Sequence, residues 1–385
     1  MKVTYFMVSP GMTGGNLVIF HHMEALAKEG INVQLITPFG IKNWAAGTLE
    51  ELFKHSYCPA YNGIWKYAKK VQYVLRNHAP GIERLAMNWY SGSENLISSS
   101  SSVTRRLVEQ WTPSDITVAT HSFTAHAAAL VSRKSNVFYH MQGFEPWFSD
   151  DPVFQSISEL SYRLPLKKFA NCTWLQDKVF ALTGDKIGLV RPGLNHQVFY
   201  PRQSQKINDN KMSGDKKIKI VSYADSRPLK GWAESQLAMK SVFLRMGNDL
   251  KVEWEVFGST NVSSSEVSVR NHGFLSHEKL AMLYSNADIV FVPSWFESFP
   301  LQPVEAMACG AAVITTRIGT EDYARHNETA LVVEPRKPES LANAIIRLIY
   351  DCDKREKLAS AGLAEAKKFT WDQSAREVKA ALEIC

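Results

Sequence analysis

Short runs of β-branched and aromatic residues, each broken by a turn and followed by an apolar pattern of helical spacing, constrain this chain most. Val3 to Val8 is the first run. Pro10-Gly11-Met12-Thr13-Gly14-Gly15 interrupts it, and Leu17, Phe20, Met23, Ala25, Leu26 and Ala27 then recur at helical spacing. Gly30 ends that helix before Val33 to Thr37 makes a second run. A strand, a helix and a strand in roughly 37 residues form a βαβ unit, which implies a parallel sheet. Similar runs follow at Ile116–Ala119, Val137–His140 and Leu189–Arg191.

A second series opens at Ile218–Tyr223 and continues through Val252–Phe257, Ile289–Val292, Ala312–Thr315 and Leu331–Val333. Helical patterns fill its gaps at Trp232–Leu244, His277–Ser285, Pro303–Ala308, Pro338–Tyr350 and Lys354–Lys368. The stretch between the two series is polar with almost no apolar anchor and reads as a linker. The expected organisation is a first domain over 1–199, a linker over 200–217, a second domain over 218–368 and a final helix over 369–385. The fold class is α/β, with two doubly wound domains and ligands at the carboxyl ends of the strands, in a cleft. The serine-rich stretch Ser91 to Ser102 is expected to be a surface loop.

The 385 residues are 45% hydrophobic and 21% charged, which excludes a mostly disordered chain or a coiled-coil rod. No window offers ~18 consecutive apolar residues, so no membrane-spanning helix is expected. Met1 to Pro10 lacks the character of a signal peptide, and the five cysteines are scattered without metal-ligand spacing. Both fit a cytoplasmic protein with no metal. The net charge of +6 lies mostly before residue 200, which suits anionic partners but is too weak for nucleic acid.

The most informative segment runs from Phe291 to Gly310. A strand enters a loop carrying Glu297, and a helix begins near Pro303 and carries Glu305. A carboxylate at such a mouth can accept hydrogen bonds from sugar or ribose hydroxyls, and the N–H groups at a helix start can hold phosphate oxygens. The bland alternative is that Glu297 caps the helix and Glu305 lies on a solvated face. Arg227 and Lys230 follow the first strand of the second series, where a basic pair beside Gly231 suits a diphosphate.

Taken together, Glu297, Glu305 and the run Ala306-Met307-Ala308-Cys309-Gly310 resemble the donor-site signature of retaining GT-B glycosyltransferases of the glycosyltransferase family 4, or "glycosyl transferases group 1", type. The resemblance implies that Glu305 holds the ribose and Glu297 the donor sugar. It also implies that Phe299 and Leu301 offer backbone N–H groups, in a loop that includes Ser298 and Pro300. Pro300 departs from the commoner glycine and has no N–H to offer. By the same resemblance Arg227 and Lys230 neutralise the diphosphate, and the base lies against Gly273, Phe274 and Leu275.

In the first half, Gly14 and Gly15 resemble the family's N-terminal glycine loop beside the donor phosphates. His121 ends one predicted strand and joins Glu297, Lys230 and Arg227 as a catalytic candidate. His140, Gln142 and Glu145 end the next strand in a stretch resembling Q-x-x-E-P-x-F, and are candidates for the acceptor. A core or surface role is the alternative for both histidines. Asp351-Cys352-Asp353 reads as a solvated pair at a helix terminus rather than a metal site.

The implied activity is sugar transfer from a nucleotide-diphosphate donor, UDP- or GDP-linked, to a hydroxyl of a glycan or lipid-linked acceptor, with retention and without a further cofactor. A sugar-nucleotide epimerase or phosphorylase on the same fold, or a non-catalytic sugar-binding subunit, is the alternative. The segment Ile64 to Arg76 interleaves Lys66, Lys69, Lys70 and Arg76 with aromatics over a narrow apolar stripe. It is either an ordinary helix of the first domain or a peripheral contact with the inner face of an anionic membrane.

Overall fold

The computed structural model describes residues 1–10, 13–49, 93–202, 217–246, 252–258 and 267–384, with side chains of the helix at 93–110 described from residue 101. The segment Ile64 to Arg76 and residues 203–216 of the expected linker lie outside the described residues. The chain divides into two compact units. One comprises Met1–Asn171, Leu175–Val190 and Ser374–Cys385, the other Cys172–Trp174 and Arg191–Gln373.

The first unit is built on β1 (Lys2–Phe6), β2 (Asn32–Thr37), β3 (Gly40–Trp44), β4 (Ile116–Ala119), β5 (Asn136–Met141), β6 (Lys167–Ala170) and β7 (Gly188–Leu189), in the order β3-β2-β1-β4-β5-β6-β7. Every neighbouring pair is parallel except β2 and β3. The helices are α1 (Gly14–Lys28), α2 (Ser93–Gln110), α3 (Ser122–Val131), α4 (Pro152–Tyr162) and α5 (Thr173–Thr183). Central strands are apolar on both faces, as a parallel sheet covered by helices requires: Val3, Tyr5 and Phe6 are all fully buried. Val378, Leu382 and Ile384 close the same core.

From Ser93 on, the serine-rich stretch is not a loop. Ser93 to Ser102 forms the first part of α2, which continues to Gln110. Serine is only a modestly poor helix former, and the buried Val103 and Leu107 supply the tertiary anchor that decides the matter.

The second unit contains β8 (Ile218–Ala224), β9 (Val252–Gly258), β10 (Arg270–Asn271), β11 (Ile289–Val292), β12 (Ala312–Thr316) and β13 (Leu331–Val333), all parallel, in the order β10-β9-β8-β11-β12-β13. Its helices are α6 (Trp232–Met246), α7 (His277–Asn286), α8 (Leu301–Ala308), α9 (Pro338–Tyr350) and α10 (Cys352–Ala366). The last helix, α11 (Trp371–Ala381), begins here and ends in the first unit. Arg191–Phe199, expected with the first domain, groups with the second unit. Leu194 donates its N–H to the Phe369 carbonyl at 3.2 Å, and a Cβ on Gly193 would lie 2.3 Å from the backbone nitrogen of Trp371.

Strand order reverses direction between β1 and β4 in one sheet and between β8 and β11 in the other. Loops leaving such a switch point diverge to opposite faces and open a crevice for ligand. The sequence candidates follow these four strands: Gly14 and Gly15 after β1, His121 after β4, Arg227 and Lys230 after β8, and Glu297 after β11.

Two features of the fold lead to measurements. His22 and His140 are buried in the first unit with ring centroids 5.2 Å apart, and His22 Nε2 lies 2.8 Å from Ser374 Oγ. Burial lowers His22 from 6.5 to about 3, and burial followed by the neighbouring His22 lowers His140 well below its ordinary value. Below about pH 6.5 the unfolded chain binds protons that the folded unit refuses, so stability falls as the pH drops, by ~1.4 kcal/mol per pH unit for each histidine. Thermal unfolding from pH 7.5 to 5 should show this slope, and His140→Phe should flatten it. The second feature is Gly319, at φ +83°, where a Cβ would sit 2.1 Å from the Glu297 carbonyl oxygen. Gly319→Ala should cost about 1–3 kcal/mol in denaturant unfolding through backbone strain.

Candidate functional site

In the second unit the site is assembled by backbone closure between loops distant in sequence. After β8 the chain makes a single 3₁₀ turn, Pro228–Lys230, and Gly231 leaves it at φ +71°. A Cβ on Gly231 would lie 2.3 Å from the Pro293 carbonyl oxygen, so only glycine lets this turn meet the loop after β11. Trp295 donates its N–H to Leu229 O at 2.8 Å, Glu297 to Ile318 O at 3.1 Å and Phe299 to Gly319 O at 2.9 Å.

This closure sets Lys230 Nζ 2.5 Å from Glu297 Oε1, with the two side chains 13% and 15% exposed. Arg227 sits on the same turn but is held differently. Its Nε and Nη2 donate to the two oxygens of Asp225 at 3.0 and 2.8 Å, and Tyr223 OH donates to the same carboxylate at 2.8 Å. Burial pushes the Asp225 carboxyl up, but the hydrogen bonds from Arg227 and Tyr223 outweigh it and hold the group at about 2. The Arg227 side chain is 59% exposed, so part of the fork still faces solvent.

Glu305 is not on a solvated face. It lies on α8, 7% exposed, and burial raises its carboxyl from 4.5 to about 8. Among the described residues no hydrogen bond to its side chain is formed. Tyr284 is fully buried beside it with an unpartnered hydroxyl, whose ionisation is opposed first by burial and then by Glu305.

The helix begins at Leu301, earlier than the proline pattern indicates, because Pro300 sits at the N-cap and Pro303 in the first turn. Among the described residues no acceptor outside the helix takes the first-turn N–H of Leu301. Phe299 does not fit its expected role. Its N–H is spent on Gly319, its backbone is at φ +56°, and its ring packs on Tyr323 and Phe369 at 5.2 and 5.1 Å. Ser298 Oγ lies 3.3 Å from Cys172 Sγ, and Pro300 O accepts from Tyr323 OH. Gly273, at φ +61°, has open space around its Cβ position; its carbonyl accepts from Gly258 N–H, and Phe274 beside it is 78% exposed, with Leu275 half-buried.

In the first unit, Gly14 opens α1 with free space around it, while a Cβ on Gly15 would come within 3.5 Å of Gln142 Oε1. His121 caps α3. His140 cannot meet an acceptor, because it is fully buried, stacked on Phe169 at 4.5 Å and contacted by Gln142 Nε2. Glu145, 2% exposed, accepts from Ser122 N–H and Tyr139 OH, both at 2.8 Å, and so faces the protein rather than a ligand.

Asp351 caps α10 through Lys354 N–H, as a helix-terminal residue should, and no metal-binding group of three or more His, Cys, Asp or Glu occurs among the described residues. No described helix is long and apolar enough to cross a membrane. Two parts of the site have no counterpart in the sequence reading. Asp225 holds Arg227, and its spacing of two residues at a strand end was an available signal. Asp322 is a second anchor, accepting from Thr173 N–H and Oγ–H and from Arg191 Nε at 2.6–2.8 Å, with partners too distant in sequence to signal it.

Comparison with known proteins bears on this arrangement. Residues 263–365 match the family model "Glycosyl transferases group 1". A D-inositol 3-phosphate glycosyltransferase of Corynebacterium jeikeium is 39% identical over 99 residues, 26% of this chain and 24% of that protein. The MMP alpha-(1->4)-mannosyltransferase of Mycolicibacterium hassiacum is 28% identical over 215 residues, 53% of this chain and 50% of that protein. The matched stretch spans 21–27% of the length of the first curated relatives. Anabaena HepE, solved in complex with UDP and glucose, superimposes with a TM-score of 0.68 at 16% identity, covering 100% of this chain and 99% of that one. The chain thus has the GT-B fold, and within it residues 263–365 are similar to the glycosyl transferases group 1 family.

Proposed function

We propose that the protein is a glycosyltransferase that moves a hexosyl or deoxyhexosyl group from a nucleotide-diphosphate sugar to a hydroxyl acceptor with retention of configuration. The donor is assigned to the second unit and the acceptor to the first. The observation that carries this reading is the Lys230–Glu297 pair on two switch-point loops, with the buried Glu305 on the helix that follows. A neighbour in fold solved with UDP and glucose supports a nucleotide-sugar donor.

Each group has a chemical part in this reading. Lys230, the exposed part of Arg227 and the Leu301 N–H meet the diphosphate, whose charge grows as the sugar leaves. Glu297 shares its carboxylate between Lys230 and the hydroxyls of the sugar. Glu305 accepts the two ribose hydroxyls. Gly273 lets the base lie against the backbone, with Phe274 beside it. The departing oxygen takes the acceptor proton, so the reaction needs no carboxylate nucleophile. The acceptor is a glycan or a lipid-linked sugar, made into polysaccharide, glycoconjugate or glycolipid.

The reading is tested by incubating the protein with UDP- and GDP-sugars and candidate acceptors; free nucleoside diphosphate and a lengthened acceptor are expected. A donor sugar altered without transfer would point to an epimerase instead. Glu305→Ala should weaken nucleoside diphosphate binding by about 1.5–3 kcal/mol, measured by calorimetry, because a charged acceptor of two hydroxyls is lost. A carboxyl held near 8 is mostly protonated at neutral pH, so binding that needs it ionised should tighten from pH 7 to 9 and release a proton. Glu305→Gln should abolish that pH dependence. Lys230→Ala should lower kcat by roughly hundredfold or more, since one fixed charge on the leaving group is removed.

A further inference from the structure

Trp295 stands two residues before Glu297, and three strand-end segments of the second unit converge on it. Its indole Nε1–H donates to Glu234 Oε1, in the first turn of α6, at 2.9 Å. Its backbone N–H donates to Leu229 O at 2.8 Å. Leu229 precedes Lys230 directly, and Glu234 follows it by one helical turn. One residue therefore grips the chain on both sides of Lys230. The guanidinium carbon of Arg336, between β13 and α9, lies 3.8 Å from the centroid of the ring. That stack is a cation–π contact, for which tryptophan is the strongest partner.

Stability alone does not account for this arrangement. Arg336 is held at φ +59°, a left-handed backbone that a residue with a Cβ adopts at a cost. Glu234 Oε2 is buried and has no hydrogen-bond partner among the described residues. An oxygen in that state is unfavourable, because its hydration is lost and nothing replaces it. Both costs fall on groups that touch Trp295, and strain of this kind collects where geometry is held for function. The approach of Gly231 to the Pro293 carbonyl oxygen and the bond to Leu229 O join the two backbones. The indole bond adds a tie from the Glu297 loop to the helix that begins past Lys230.

We propose that Trp295 is a positioning residue, clipping the chain on both sides of Lys230 so that its ammonium group meets Glu297 at a fixed separation. Arg336 bears on the face of the ring and keeps the indole N–H aimed at Glu234. All three residues act through the Lys230–Glu297 pair and touch no reacting atom. The effect on turnover rests on the function proposed above; the placement of the pair does not. In that reading the clip keeps the lysine where charge grows on the leaving diphosphate. A charge already in place there needs no rearrangement at the moment of reaction.

The test compares crystal structures of the full chain, wild type and Trp295→Phe, which keeps an aromatic face for Arg336 and loses the N–H. Wild type is expected to show the indole bond to Glu234, and the variant to lose the contact between Lys230 and Glu297. A contact kept unchanged in the variant overturns the proposal. Glu234→Ala removes the same bond from the other side, should separate the pair in the same way, and decides the matter if Trp295→Phe does not fold. Donor turnover gives the second readout. Trp295→Phe and Glu234→Ala should each lower kcat by ~10- to 100-fold with a nearly unchanged KM for donor, the scale expected of a misplaced group. Glu234→Gln keeps an acceptor oxygen and should recover most of that loss. In a Lys230→Ala background Trp295→Phe should cost little more; losses that multiply would show that the ring acts by another route and overturn the proposal. Arg336→Gly accepts the left-handed backbone without strain and frees the ring, so it should slow turnover, and turnover equal to wild type refutes the part given to the arginine. If wild type transfers sugar from no donor, the function proposed above fails, while the crystal structures still decide the role of Trp295.

Discussion

The ion pair between Lys230 and Glu297 is the interaction on which the second unit's site depends. Two largely desolvated charges meet because the turn after β8 and the loop after β11 are locked together by backbone bonds at Leu229, Trp295, Ile318 and Gly319. Desolvating such a pair costs free energy that its attraction does not reliably return, so it is poor evidence for stability. It is better evidence for preorganisation. The lysine is kept in place and its charge is compensated by Glu297. Gly231 and Gly319 matter for the same reason, since each removes a Cβ that would hold the loops apart.

The basic pair of the sequence splits into two different devices. Lys230 pairs with a residue of another loop, whereas Arg227 is gripped by Asp225 on its own turn. The first spans two loops. The second is a rigid fork with its remaining donors turned outward. The acidic residues divide in the same way. Glu297 is compensated by a cation and Glu305 by nothing among the described residues, which is why burial leaves Glu305 with its carboxyl near 8.

In the first unit the histidines show how little residue type says about role. His22 and His140 are sealed in the core and kept neutral by burial, while His121, at the end of the neighbouring strand, keeps an exposed edge. The direction of β4 and β5 is shared, so the difference lies in residue placement. His140 is inside its strand, and His121 is beyond the end of its own, at the cap of α3.

The α/β architecture and the strand ends that bear the candidate residues were legible in the sequence. Apolar strand runs, alternating with helices, dictate parallel sheets covered on both faces, and the candidates of highest interest lie where those strands end, because function collects at carboxyl ends. The spacing of Glu297 and Glu305 was equally legible, since both lie within one loop and helix. Which of those candidates keep unspent polar atoms is set by contacts that the sequence does not display. The Phe299 N–H is consumed by Gly319, the Glu145 carboxylate by Ser122 and Tyr139, and His140 by the core, all through partners distant in sequence or on another element. The serine-rich run became a helix for a similar reason, as Val103 and Leu107 found a core that composition does not show. Local pattern sets where a side chain begins, but the satisfaction of its polar atoms is settled by neighbours that only folding brings within hydrogen-bonding distance.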